Sequence, residues 1–364
     1  MERTRTLGIL TSGGDSPGMN AALRAVAKVA AANNLRVLGI QDGFNGLLEG
    51  RTHSFDFITL DDAARRGGTL LGTARSKQFP TPEGQALARK QILEMKLDAL
   101  LVIGGNGSLA GALALTDAKT HTGALLQIAG LPASIDNDLA CTAMSIGVDT
   151  AQNTILDASD RILDTASSHH RIFLIEVMGR DCGYLALTSA VAAGADAVLV
   201  PETNQTEAEI LETIYTAVDR AYSGDGAPKR VLILKSEGVK MPTLRIKECL
   251  DERLSTRTPS IDTRVTVLGH IVRGGTPSSF DRLLAARLAH AAVRALADGR
   301  SGFMAGSFGP GSVEAPCSYD PAVVLTPLEK VLSETDAMSK GTTAIALWRK
   351  RMYKEILPML QKRA

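Results

Sequence analysis

The sequence lacks the features that would place it in a membrane, a disulfide-rich fold or a nucleic-acid complex. No apolar run approaches the roughly 18 residues of a membrane-spanning helix. The four cysteines lie far apart and form no CxxC pair, so reduced thiols in a cytoplasmic protein are expected rather than disulfides or a zinc site. Lys and Arg total 40 against 39 Asp and Glu, and this balance argues against a nucleic-acid or membrane-surface partner.

What the 364 residues do contain is an alternation of short, largely apolar runs with helical stretches. Leu7–Leu10, Leu97–Ile103, Ile172–Val177 and Val231–Leu234 are such runs, and a helical stretch from about Ser108 follows the second of them. Apolar strands alternating with amphipathic helices indicate mainly parallel sheets covered on both faces. We therefore predict a doubly wound α/β fold.

Two glycine-rich strings follow apolar runs, TSGGDSPGMN (11–20) and GGNGS (104–108). Glycines let the backbone approach a phosphate closely, and the loop N–H groups then face the anion. Each string could also be an ordinary tight turn. No GKS or GKT follows the first string, so it is not a P-loop, and the absence of GxGxxG there argues against an NAD-binding protein.

A third string, SIDND (134–138), places Asp136 and Asp138 two residues apart in a short loop or an extended segment. Two neighbouring carboxylates do not tolerate each other's charge without a cation or a shared proton. One could accept a hydroxyl proton while the other supports a metal ion, although a solvated Asp-rich turn is the alternative. Cationic side chains that could bind phosphate lie near predicted strand ends or glycine turns: Arg75, Arg171, Arg180, Arg264, His270 and Arg273.

Together these strings resemble the phosphofructokinase family. The matching segments occur in the family's order and are LTSGGDSPGMNAALRAV (10–26), GGTLLGTAR (67–75), GGNGS (104–108), SIDND (134–138), SSHHRIFLIEVMGRDCGYLAL (167–187), the Glu237 region and TRVTVLGHIVRGGTPSSFDRLLAARL (263–288).

The resemblance implies two Rossmann-like domains with the active site in the cleft between them. Residues 1–147 with about 272–322 would bind the phosphoryl donor, and residues 148–271 with about 323–364 would bind the sugar phosphate and end in a helical tail. The implied reaction transfers phosphoryl from ATP to the 1-hydroxyl of fructose 6-phosphate, with Mg²⁺ as cofactor. The implied assembly is a homotetramer or homodimer with shared sites.

The resemblance also assigns roles to individual residues. Asp136 would be the general base, Ser134 would bind the transferring phosphoryl group, and Arg180 would stabilise its developing charge. Contacts to the donor would come from Gly13, Arg75, Ser76, Gly105, Asn106, Gly107 and Ser108. The metal would lie near Asp138 and, more weakly, Asn106. Sugar-phosphate contacts would come from Ser134, Asp136, Met178, Gly179, Arg180, Glu237, His270 and Arg273, with Arg171 and Arg264 reaching a neighbouring subunit.

Two positions differ from the family's usual residues, and two others bear on the choice of phosphoryl donor. Asn106 stands where the family commonly has Asp, so a non-catalytic subunit that binds nucleotide and sugar phosphate is one alternative. Ser134 stands where the family usually has Thr, and either hydroxyl can bond the phosphoryl group. Gly107 and Ala133 are small where pyrophosphate users tend to carry an acid and a Lys, which favours ATP over a pyrophosphate-dependent or mixed-donor enzyme.

Overall fold

The computed structural model describes residues 4–223, 230–257, 261–309 and 317–360. The chain divides into two compact units. The first comprises Met1–Thr150 and Arg273–Ala337, and the second comprises Ala151–Val272 and Met338–Ala364. None of the helices in the described ranges is both long and apolar enough to cross a membrane.

Strands and helices alternate along most of the chain. Within the described ranges the strands are β1 Arg5–Ser12, β2 Leu35–Ile40, β3 Thr52–His53, β4 Ala99–Gly104, β5 Gln127–Pro132, β6 Ile172–Val177, β7 Ala197–Leu199, β8 Val231–Ser236, β9 Thr263–Val267, β10 Phe303–Ser307 and β11 Val323–Pro327. The α-helices there are α1 Met19–Ala32, α2 Gly43–Glu49, α3 Phe57–Ala63, α4 Pro82–Glu94, α5 Asn106–Leu113, α6 Val148–His169, α7 Tyr184–Ala193, α8 Glu207–Ser223, α9 Thr243–Arg257, α10 Ser279–Ala297, α11 Leu328–Ser339 and α12 Ala344–Leu360. Two 3-10 helices cover Pro201–Thr203 and Gly269–Arg273.

The sheet of the first unit has the strand order β11-β10-β5-β4-β1-β2-β3. Its central strands are parallel, and only the edge strands β3 and β11 run antiparallel to their neighbours. The apolar run in β4 supplies both faces: Leu101 and Ile103 join the core under α1 and α10, whereas Leu100 and Val102 join the core under α2, α4, α5 and α11. Burial on both faces explains why this run does not alternate with polar residues.

The sheet of the second unit has the order β7-β8-β6-β9, with all its described neighbours parallel. On one face, Ile172 and Leu174 of β6 and Val231 and Ile233 of β8 pack with apolar residues of α8 and α9. Both units therefore have the predicted doubly wound α/β architecture with mainly parallel sheets, and the fold-class prediction is confirmed.

The first unit extends to Ala337, beyond the boundary predicted near residue 322. The reason is β11, which pairs antiparallel with β10 from Phe303↔Pro327 to Ser307↔Val323 and so completes the edge of the first sheet. The other boundaries, at Thr150 and Arg273, lie within a few residues of the predicted ones. The division of donor and sugar phosphate between the units remains a prediction.

Candidate active site

Three loops of the first unit leave the sheet side by side, at the carboxyl ends of β1, β4 and β5. The last residues of these strands, Ser12, Gly104 and Pro132, are neighbours in the strand register. Ligands of open α/β sheets bind beyond the carboxyl ends of the strands. The two glycine strings thus lie at one sheet edge, and SIDND follows the next strand.

Glycines allow the first two of these loops to touch. Gly13 has a left-handed φ of 90°, and its carbonyl oxygen accepts a hydrogen bond from Thr73 Oγ1 at 2.8 Å. A Cβ on Gly104 would lie 2.4 Å from the Ser12 carbonyl oxygen and 2.5 Å from Ser108 Oγ. No side chain fits at Gly104, so the glycine sets the spacing of the two loops.

The second glycine string is the first turn of a helix rather than a free loop. Helix α5 begins at Asn106, two residues before the predicted start at Ser108. Gly105 precedes the helix and makes no side-chain cap, and a Cβ on Gly107 would meet nothing within 4 Å. The first N–H groups of a helix have no intrahelical partner and attract anions. The turn therefore offers backbone donors and open space to a phosphate chain.

The segment SIDND forms a tight turn. The sequence had left open whether it is a short loop or an extended segment, and the structure shows a loop. The Asn137 N–H donates to the Ser134 carbonyl oxygen at 3.2 Å, and Asn137 has a left-handed φ of 50°. The Asn137 side chain secures the turn by donating to the Ala143 carbonyl oxygen at 3.1 Å. Asp136 is only 2% exposed, and Ser134 Oγ donates to Asp138 Oδ1 at 2.6 Å. The two carboxylates thus have different environments.

Arg75 and Ser76 follow α3 in a loop of the first unit. The Arg75 side chain is exposed, as a side chain that binds a soluble ligand must be. Ser76 Oγ accepts a hydrogen bond from the Phe79 N–H at 3.1 Å, so the hydroxyl stabilises the turn before α4. A local structural role is therefore what the structure shows for Ser76.

Arg273, predicted to contact the sugar phosphate, belongs to the first unit and lies against the β1 loop. Its Nη1 donates to the Asp15 carbonyl oxygen at 2.9 Å. A Cβ on Gly14 would come within 2.4 Å of the same nitrogen. The second glycine of the TSGGD string therefore leaves room for the Arg273 guanidinium in this position.

In the second unit, the loops after β6 and β8 are joined through Glu237. Its Oε1 accepts hydrogen bonds from the N–H groups of Gly179 at 3.2 Å and Arg180 at 2.9 Å. Arg180 has a left-handed φ of 48°, and its side chain is exposed, whereas Met178 is buried. A Cβ on Gly238 would lie 1.8 Å from the Arg180 carbonyl oxygen, so glycine is required there. Glu237 holds the loop that presents Arg180.

Arg171 and Arg264 meet at one carboxylate, that of Asp262. Arg264 reaches Asp262 Oδ2 with Nε at 2.7 Å and with Nη2 at 2.6 Å, and Arg171 Nε lies 3.4 Å from the same oxygen. Arg264 is on β9, an edge strand of its sheet. His270 is exposed in the 3-10 helix that follows β9. The structure therefore brings the two predicted intersubunit arginines together through a residue to which the sequence analysis gave no role.

Asp281 is a second residue that the sequence analysis missed. Fully buried in α10, it accepts hydrogen bonds from the N–H groups of Gly147 and Thr150, each at 2.8 Å, and from Thr150 Oγ1 at 2.6 Å. Burial raises the pKa of Asp281, although these hydrogen bonds oppose that shift. It fixes the start of α6, shortly after SIDND. Asp281 lies in the segment SSFDRLL, but only the hydrogen bonds in the structure show the role of its carboxylate.

The comparisons with known proteins agree on one family. A family model described as phosphofructokinase matches residues 6–296. An ATP-dependent 6-phosphofructokinase of Natranaerobius thermophilus is 44% identical over 302 residues, which cover 83% of this chain and 89% of that protein. An ATP-dependent 6-phosphofructokinase 2 of Bacteroides thetaiotaomicron is 44% identical over 308 residues, covering 84% of this chain and 90% of that protein.

The solved structure of phosphofructokinase from Saccharomyces cerevisiae superposes with a TM-score of 0.82 at 29% identity. The match covers 98% of this chain and 47% of the yeast chain, so this chain spans about half the length of that larger protein. The matches to the Natranaerobius and Bacteroides proteins, in contrast, extend over about nine tenths of the length of those proteins.

Proposed function

Because the chain belongs to the phosphofructokinase family, we propose that it transfers the terminal phosphoryl group of ATP to the 1-hydroxyl of fructose 6-phosphate, giving fructose 1,6-bisphosphate. The observation that carries the proposal is the position of Asp136. This carboxylate is buried in a turn at the same sheet edge as the glycine loop of β1 and the first turn of α5. A proton acceptor beside a phosphate-binding edge is what a sugar kinase needs.

In the proposed reaction, Asp136 accepts the proton of the sugar hydroxyl as its oxygen attacks the phosphoryl group. Phosphoryl transfer requires in-line positioning and stabilisation of charge on the equatorial oxygens rather than covalent help from the protein. Ser134 supplies a hydroxyl beside Asp136, and Arg180 supplies a guanidinium from the second unit. The hydrogen bond from Ser134 to Asp138 orients both side chains before the substrates bind.

The donor phosphates are assigned to the β1 loop, the first turn of α5 and the loop after α3. Backbone N–H groups at the start of α5 and the open space beside Gly107 support this assignment. The residues proposed to contact the donor are Gly13, Arg75, Ser76, Gly105, Asn106, Gly107 and Ser108.

Mg²⁺ would be held mainly by the donor phosphates. Among the residues that the structure describes, no group of three or more His, Cys, Asp or Glu side chains is arranged to hold a metal ion. Mg²⁺ on a nucleotide needs only one or two protein carboxylates, since phosphate oxygens and waters complete its coordination. Asp138 fits that role with a carboxylate, and Asn106 with an amide oxygen. The ion would neutralise charge on the phosphates.

Fructose 6-phosphate is assigned to the charged groups of the loops after β6, β8 and β9. The proposed contacts are Met178, Gly179, Arg180, Glu237 and His270, with Arg273 from the β1 side and with Ser134 and Asp136 at the reacting hydroxyl. Arg171 and Arg264 would reach the sugar phosphate of a second subunit, in a homotetramer or homodimer. A cytoplasmic location accords with this use of soluble metabolites and with four cysteines, none of them disulfide-bonded.

A coupled assay of the purified protein tests the reaction directly. Fructose 6-phosphate is supplied with ATP or with pyrophosphate, each with and without Mg²⁺. We expect turnover with ATP and Mg²⁺ and much less with pyrophosphate. Absence of turnover with either donor would support the non-catalytic alternative raised by Asn106, and faster turnover with pyrophosphate would refute the proposed donor.

Gly107 allows a sharper test of donor choice. A Cβ there meets nothing within 4 Å, so the Gly107→Asp variant should fold, but its carboxylate would repel and obstruct the nucleotide. We expect kcat/KM for ATP to fall by about tenfold or more, with a smaller change for pyrophosphate. The control is Gly107→Ala, which adds a Cβ without charge. Undiminished ATP turnover in the Asp variant would show that this position does not select the donor.

A further inference from the structure

A lysine is fully buried in the sheet of the second unit. Lys235 of β8 is 1% exposed and is among the largest fully buried side chains in the described ranges. It continues the face on which Val231 and Ile233 contribute to the core under α8 and α9. Lysine is almost never buried unless it is paired, because removing its charge from water is costly.

The partner of this lysine is Glu176, directly opposite on β6 in the parallel register. Lys235 Nζ lies 3.0 Å from Glu176 Oε2 and also donates to the Ser236 carbonyl oxygen at 3.3 Å. Thr243, the first residue of α9, donates its hydroxyl to the same Glu176 oxygen. The pair thus joins β6, β8 and the start of α9 at the carboxyl edge of the sheet.

The proposed sugar-phosphate loops begin immediately beyond this pair. Glu176 precedes Met178 by two residues, and Lys235 precedes Glu237 by two residues. The Glu176 carbonyl oxygen accepts the N–H of Leu268 at 3.0 Å, two residues before His270. Three loops with proposed ligand contacts therefore leave the sheet at one ion pair, in which Lys235 is buried and Glu176 is partly exposed.

Stability alone does not account for such a pair. Replacing a buried ion pair by apolar residues of similar volume is often neutral or stabilising, whereas removing one partner leaves an unpaired buried charge. The best-attested use of buried polar groups is to specify register. Here the register decides whether the Glu237 carboxylate meets the N–H groups of Gly179 and Arg180.

We infer that Lys235 and Glu176 are positioning residues that align the ends of β6 and β8 and so hold the Met178–Arg180 loop on Glu237. The inference rests on the proposed function, in which these loops bind the sugar phosphate. Neither residue is given a contact to substrate. Their effect passes through Glu237, whose carboxylate must face two backbone N–H groups at about hydrogen-bond distance.

The primary test measures amide hydrogen exchange at Gly179 and Arg180, which requires no turnover. In Lys235→Met, a long apolar side chain removes the cation beside Glu176 and leaves only the hydrogen bond from Thr243, and we expect both amides to exchange at least about tenfold faster than in the wild type. The double variant Lys235→Met/Glu176→Leu removes both charges. We expect it to regain the wild-type melting temperature while the two amides still exchange faster.

Ile233→Ala is the matched control, because Ile233 is fully buried on the same face of β8 and carries no charge. It should lower the melting temperature without accelerating exchange at Gly179 and Arg180. If Lys235→Met does not fold, Glu176→Gln keeps the shape of the side chain and is measured in its place. Unchanged exchange at both amides in the folded variants, or equal acceleration by Ile233→Ala, would overturn the inference.

Steady-state kinetics separates this inference from the proposed function. We expect KM for fructose 6-phosphate to rise by roughly 10- to 100-fold in Lys235→Met, since small misplacements of binding groups have effects of that size. KM for ATP should change by less than about twofold, because its proposed contacts lie in the other unit. Accelerated exchange in a protein whose wild type does not use fructose 6-phosphate would refute the proposed function and retain the positioning role.

Discussion

The carboxyl edges of the two sheets are built in contrasting ways. In the first unit the edge presents backbone N–H groups and glycines that leave open space, and Asp136 is buried at the same edge. In the second unit it presents charged side chains, of which Glu237 already binds the backbone N–H groups of Gly179 and Arg180. An edge built from backbone is damaged by adding a Cβ, whereas an edge built from side chains is damaged by removing a charge. The contrast accords with the proposed binding of donor phosphates by the first unit and of the sugar phosphate by the second.

The largest effect should come from Asp136, the proposed proton acceptor at the first edge. Asp136→Asn keeps the volume of the side chain but cannot accept a proton, so kcat should fall by about 10²- to 10⁴-fold in the ATP-coupled assay. Asp117→Asn, which alters an exposed carboxylate of the same unit, should leave kcat unchanged. A loss of less than about tenfold in the Asp136 variant would mean that this edge supplies binding but not proton transfer.

A smaller effect tests whether the absence of a side chain at Gly104 allows the loops after β1 and β4 to lie close together. In Gly104→Ala the new Cβ would meet the Ser12 carbonyl oxygen and Ser108 Oγ, so the free energy of unfolding should fall by about 1–3 kcal/mol. Gly107→Ala, where the Cβ meets open space, should show no such loss. Urea denaturation of both variants measures the difference, and equal stability would show that the two loops can move apart without cost.

The smallest effect is expected at the ion pairs around Asp262, which lie at the amino ends of β6 and β9, opposite the carboxyl edge of the second sheet. Asp262→Ala removes the partner of both Arg171 and Arg264, but all three side chains are partly solvated, so the free energy of unfolding should change by less than about 1 kcal/mol. KM for fructose 6-phosphate should shift instead, because the two guanidinium groups lose their shared anchor. A large loss of stability with unchanged KM would show that these ion pairs stabilise the second unit and do not present the two guanidinium groups to a ligand.

Much of the architecture could be predicted from local patterns. The run Ile172–Val177 coincides with β6, and the run Val231–Leu234 lies within β8. These predictions succeed because strand formation depends on apolar content that can be read residue by residue. The start of α5 was misplaced by two residues, since glycine-rich sequence is typical of turns.

Other features depend on contacts between residues far apart in the chain. β11 belongs to the first sheet through its pairing with β10, which moves the unit boundary to Ala337. Asp281 reaches back more than a hundred residues to the start of α6. No spacing rule connects such residues, because the hydrogen bonds form only after the strands and helices have packed.

The amino-acid sequence by itself determined the doubly wound fold, the family and the identity of the candidate base, because apolar periodicity and ordered motifs are local properties of the chain. Tertiary structure alone decided that Lys235 is buried against Glu176, that Glu237 holds the Arg180 loop and that Asp262 joins two arginines. A charged residue has the same appearance in a sequence whether it is solvated or paired. Which state it adopts is set by the charge that folding places within a few ångströms of it.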